Sequence, residues 1–150
     1  VEGSSAVGTW GHGFTYSGHP VACAAGDATV KIYQETDLLE TISNTQQHVW
    51  SNALSTLSTH PIVGEVRSKG MLGAVELVRC PGSATRIAPD AAAAVFCRNY
   101  AIQHGLMARQ VGDSLILSPP LIITIDEIEQ LVTGLRAALD ATATAFGIAS

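Results

Sequence analysis

Gly11-His12-Gly13-Phe14-Thr15-Tyr16-Ser17-Gly18-His19-Pro20 is the stretch from which the rest of the chain is best read. It is a glycine-rich loop running into a helix N-terminus. Pro20 suits the first helical turn, where its missing N–H costs nothing. Free backbone N–H groups and a threonine hydroxyl at such a junction favour an anion, above all a phosphate. The same residues also suit a plain connecting loop closed by a serine or threonine turn. Composition alone leaves both readings open. Upstream, Gly3 and Gly8 continue the loop back to Val1. A loop of this length at the start of a domain is expected either to touch something or to have lost what it was attached to. A first residue other than Met reads as a cut or processed chain.

Downstream, the Ala-rich segment from Pro20 to about Tyr33 is helix-compatible. A second helix is expected from about Leu38 to Ser58, with Leu39, Ile42, Gln46, Val49, Ala53 and Leu57 as its apolar stripe. His60-Pro61 stops it, because a residue before proline is pushed out of the helical region. Val63 to Arg67 and Leu72 to Val78 read as strands around a Lys69-Gly70 turn. A third helix is expected from near Asp90 to a left-handed cap at Gly105. Leu106–Val111 and Leu115–Leu117 read as short strands around Gly112-Asp113, a hairpin signal. Thr124 and Glu127 form a capping box for a last helix with Ile128, Leu131, Val132, Leu135, Leu139 and Phe146 on one face. This order predicts an α+β domain over residues 62–150, with short strands in an antiparallel or mixed sheet and helices on one face. The segment before it, residues 1–61, reads as a glycine-rich loop and two helices belonging to another layer.

Hydrophobic residues make up 47% of the 150, enough for a core, while charged residues are only 14%, against about 25% in an average domain. A surface so poor in charge is expected to be partly buried against something else. The net charge is -5, and no cluster of Lys and Arg exists. Both argue against a nucleic-acid groove or an anionic membrane surface. No run of about 18 apolar residues offers a membrane span. Cys23, Cys80 and Cys97 are odd in number and form no CxxC pair, so reduced thiols in a cytoplasmic protein are expected. The five histidines lack metal-ligand spacing, no GxSxG elbow is present, and His19 is expected to cap or pack at the helix start.

Three segments in register carry a resemblance. His12–Gly26, HGFTYSGHPVACAAG, resembles a signature of the class III pyridoxal-phosphate-dependent aminotransferases, the omega-transaminases. Val66–Leu77, VRSKGMLGAVEL, resembles the strand pair that opens the C-terminal domain of that family. Gly105–Arg109, Gly112-Asp113 and Leu117–Leu121 resemble its final strands. The resemblance covers roughly residues 11–135. It implies the last third of a type I pyridoxal-phosphate transferase fold, with residues 1–61 the trailing loop and helices of its large domain and residues 62–150 its C-terminal domain.

The resemblance also implies roles. Thr15, with Phe14 beside it, matches the position that binds the cofactor phosphate across the interface of a homodimer. Arg109 matches the mobile arginine that pairs with the substrate carboxylate in amine:pyruvate and β-alanine:pyruvate members. A planar guanidinium suits that bidentate task. Ornithine-type relatives carry an arginine three residues before the Pro-Pro pair, where this chain has Ile116, which favours the amine:pyruvate branch. Amines or ω-amino acids would be donors, and pyruvate or another oxo acid the acceptor. Transamination needs a Schiff-base lysine. The only lysines are Lys31 and Lys69, and neither matches the family lysine, which precedes the glycine-rich loop. The chain alone is therefore expected to be inactive, with no catalytic residue of its own, unless the remainder accompanies it as a second polypeptide. The competing reading is a self-standing α+β module that binds a small anion or a partner chain.

Overall fold

The computed structural model describes residues 13–83 and 85–148. The start of the expected glycine-rich loop, with Gly3, Gly8, Gly11 and His12, lies outside the described residues. The chain forms two compact units that part between Asp37 and Leu38. From Leu38 onward the chain packs with the sheet.

The first unit is the loop from Gly13 followed by helix α1 (Pro20–Glu35). The helix ends where Thr36 turns extended and its N–H and hydroxyl both bond the Ile32 carbonyl. No residue of α1 is buried, although Val21, Val30, Ile32 and Tyr33 lie on it.

The second unit opens with α2 (Leu38–Thr41), a π turn (Ile42–Gln46), α3 (Gln47–Ser55) and a 3-10 turn (Thr56–Thr59). The expected uninterrupted helix is corrected here, and so is its stripe. Ile42, Trp50, Leu54 and Leu57 are buried, whereas Leu39 is exposed. The cause is the π turn. In an unbroken α-helix Leu54 would sit about 120° around the axis from Ile42. The extra residue of a π turn takes back roughly one 100° step, which returns Trp50 and Leu54 to the side of Ile42. His60 ends the segment in an extended conformation. Its buried ring lies 3.0 Å from Asp140 through Nε2 and accepts from the Ile62 N–H through Nδ1.

Four antiparallel strands follow: β1 (Val63–Lys69), β2 (Leu72–Leu77), β3 (Arg109–Val111) and β4 (Ser114–Leu117), in spatial order β1-β2-β4-β3. The two turns fall where glycine chemistry places them, with Gly70 at φ 55° and Gly112 at φ 57°. The first strand of the second hairpin is shorter than expected, because Leu106 to Ala108 remain outside the ladder. Between the hairpins lies α4 (Ala92–Gln103), and the chain closes with α5 (Ile125–Ala145). Gly105 turns left-handed after α4, at φ 84°. The Thr124–Glu127 capping box forms in full. The helices pack on one sheet face, onto Val63, Val75, Leu77, Leu115 and Leu117. Gly73 lets α3 approach closely, since a Cβ there would meet Trp50 and Leu54. Within this unit, no helix among the described residues covers the other face of the sheet. Among the described residues no helix is long and apolar enough to cross a membrane.

Candidate functional site

Each unit carries one feature. In the first, two overlapping turns shape the loop. The Phe14 N–H donates to Ser17 Oγ at 2.8 Å, the Ser17 N–H donates to the Phe14 carbonyl at 2.9 Å, and the His19 N–H donates to the Tyr16 carbonyl at 3.2 Å. Gly18, at φ 73°, allows the reversal. His19 caps α1, its Nδ1 accepting from the Ala22 N–H at 3.4 Å, with its ring tilted against Tyr16. The Thr15 hydroxyl and N–H have no partner among the described residues. Phe14 is 73% exposed. The turn thus presents two unspent donors beside an exposed aromatic ring. That donor set suits the oxygens of a phosphate.

In the second unit the feature is the open sheet face. Register places Arg67 opposite Ala74, Ala74 opposite Ile116, and Ile116 opposite Arg109. These four residues form one row across the sheet, an arginine at each end, roughly three strand spacings or 14 Å apart. The two arginines differ. Arg67 is paired with Glu76 at 2.9 Å and with Glu65. These carboxylates, Glu76 foremost, hold its proton more firmly than usual. Arg109 is exposed on edge strand β3, and its guanidinium has no hydrogen-bond or ionic partner among the described residues. Between them Ala74 and Ile116 keep the row apolar, beside a shallow depression of about 260 Å³ that Leu72 and Gly73 also line. A guanidinium at the edge of an apolar surface, with no carboxylate among the described residues to neutralise it, can bind an external one.

Of the two lysines, one is held within α1 and the other lines the depression on the open sheet face. Lys31 is engaged by Asp27 at 2.8 Å along α1, and Lys69 ends β1. Among the described residues no three His, Cys, Asp or Glu side chains gather as a metal site.

Two pairs had no signal in the sequence. Arg86 Nε lies 2.8 Å from Asp113 Oδ2 and ties the loop after β2 to the β3–β4 turn. His60 and Asp140 join the end of the 3-10 turn to α5 across 80 positions. No periodicity or motif links such distant residues.

Comparison with known proteins agrees with the segments read above. The family model for aminotransferase class-III matches residues 2–139. The chain is similar to a putrescine–pyruvate aminotransferase of Pseudomonas aeruginosa, 39% identical over 145 residues, covering 97% of this chain and 32% of that protein. It is similar to an omega-aminotransferase of Caulobacter vibrioides, 36% identical, covering 93% of this chain and 30% of that protein. Among solved structures, the omega transaminase from Pseudomonas jessenii in complex with PMP superposes with a TM-score of 0.85 at 34% identity, covering 99% of this chain and 33% of that one. The chain spans about a third of the length of the curated relatives it matches. With a family match over nearly its whole length and a fold shared with solved omega transaminases, the chain belongs to the class-III aminotransferases.

Proposed function

We propose that this chain is the C-terminal third of an omega-type aminotransferase, which moves an amino group from an amine or ω-amino acid to pyruvate or another oxo acid. The observation that carries this reading is Arg109, an exposed guanidinium on β3 without a partner among the described residues. It binds the carboxylate of the oxo acid in a bidentate grip, and it is free to turn aside when the amino donor has none. Bound pyridoxal phosphate supplies the electron sink that makes the proton on the amino-bearing carbon removable. Thr15, through its hydroxyl and N–H, donates to that cofactor's phosphate, and Phe14 packs beside it. In this reading the loop serves the active site of the partner subunit in a homodimer. The proton-moving lysine lies outside this chain, in polypeptide that precedes the glycine-rich loop, so residues 1–150 alone transfer no amino group. The large domain of that enzyme extends to residue 61, and the enzyme works in the cytoplasm.

The exposed Val21, Val30, Ile32 and Tyr33 of α1 support this reading over a self-standing module. A module complete in itself would bury such side chains. The test is an amino-transfer assay with putrescine and pyruvate, run on full-length protein and on residues 1–150. Ping-pong kinetics in the first and no turnover in the second are expected. Full-length protein that neither binds pyridoxal phosphate nor transfers the amino group refutes the reading. Denaturing mass spectrometry of the purified material identifies any second polypeptide that accompanies the chain.

A further inference from the structure

Arg109 stands on a strand that has little to hold it. β3 is three residues long, lies at the sheet edge and pairs with β4 alone. Its closed end is the Gly112-Asp113 turn, four positions from Arg109, and that turn is fastened from three sides. The Leu77 N–H donates to the Asp113 carbonyl at 2.9 Å, and Gln110 donates to the Gly112 carbonyl. Arg86 Nε donates to Asp113 Oδ2 at 2.8 Å. The Asp113 side chain is only 17% exposed, so its carboxylate has little water in place of Arg86. Arg86 in turn reaches from a firm base. Ile87 beside it is buried in the core, and the Thr85 carbonyl on its other side accepts from the Arg79 N–H at 2.9 Å. An ion pair with one partner this exposed contributes little to overall stability. Its effect is local, on the angle and register of the hairpin.

We propose that Arg86, acting through Asp113, is a positioning residue for the substrate carboxylate: it fixes the β3–β4 hairpin so that Arg109 meets the carboxylate in one geometry. The proposal rests on the carboxylate-binding role given to Arg109 above. Arg86 itself touches no substrate. Positioning of this kind acts selectively, because an acceptor without a carboxylate does not use Arg109.

The experiment uses the full-length protein, with KM and kcat measured for pyruvate and for a neutral aldehyde acceptor. Arg86→Ala and Asp113→Asn are each expected to raise KM for pyruvate about tenfold, the effect of a loosened binding group. Kinetics with the aldehyde are expected to stay unchanged. The double variant is expected to be no worse than either single one, since both remove the same link. Equal losses with both acceptors would show a merely structural role and overturn the proposal, as would no change or additive losses. Arg109→Ala is run beside them. A pyruvate-selective loss in Arg109→Ala without one in Arg86→Ala overturns the positioning role alone. No selective loss in Arg109→Ala overturns the assignment of Arg109, and the positioning role with it.

Discussion

Replacing Gly73 by alanine tests the contact that seats α3 on the sheet. The added Cβ would overlap Leu54 Cδ1 and lie 2.9 Å from Trp50 Cζ2. Both side chains are fully buried, so neither can swing into solvent. Crowding a packed core by one methyl group costs about 1–3 kcal/mol. With two immobile walls on the same Cβ, the cost belongs at about 2–3 kcal/mol. At a urea dependence of roughly 1–3 kcal/mol per molar, the unfolding midpoint falls by about 1 M. Trp50 is one of two tryptophans in the chain, so a Trp10→Phe background makes its fluorescence a direct reporter of this contact. Leu54→Ala alone opens a cavity and costs about 3–5 kcal/mol. Combined with Gly73→Ala, the new methyl enters the vacated space. The pair should therefore be more stable than the sum of its parts by at least about 1 kcal/mol. A Gly73→Ala midpoint equal to that of the parent, or strictly additive costs in the pair, would refute the close approach of α3 to β2.

Three further outcomes are expected. Arg109→Ala removes charge-assisted hydrogen bonds worth about 1.5–3 kcal/mol, so kcat/KM for pyruvate in the full-length enzyme falls about 10- to 100-fold relative to a neutral aldehyde. Burial pushes the Cys97 thiol up to about 11, partly offset by a hydrogen bond with Thr142. Because the unfolded chain loses this proton first, stability falls as pH rises from the ordinary thiol value of 9.0 toward 11. At pH 8, iodoacetamide should label the exposed Cys23 and Cys80 of the folded protein but label Cys97 only in denaturant, as counted by intact mass. Thr124→Ala removes the α5 cap and costs about 1 kcal/mol in urea unfolding at pH 7. The Thr124 N–H and hydroxyl hold the Glu127 carboxyl below its usual range. That share of the stabilisation is present above the ordinary carboxylate value and is lost as pH falls through the lowered one. The gap between parent and variant should narrow in acid.

How much of this could be read from the chain follows from the range of each interaction. The Thr124–Glu127 capping box, the Gly70 and Gly112 turns and the His19 cap involve residues within a few positions of one another. Their chemistry is complete in a short window, so the sequence by itself determined the last helix, both hairpins and the entry into α1. It also determined the family, because three segments keep their order and spacing. The π turn was hidden. Its single extra residue changes no local propensity, yet it moves the buried stripe from Val49 and Ala53 to Trp50 and Leu54. The candidate site divides in the same way. Thr15 and Arg109 stand out as residues, but that their side-chain donors are unspent among the described residues is a matter of tertiary contacts. That β2 pairs with β4 was decided only in three dimensions, and with it the row from Arg67 through Ala74 and Ile116 to Arg109. The Arg86–Asp113 pair was decided there too. These contacts join residues brought together by burying one sheet face under three helices. Burial acts on apolar area without regard to sequence distance, and so leaves no local signature from which such partners could be named.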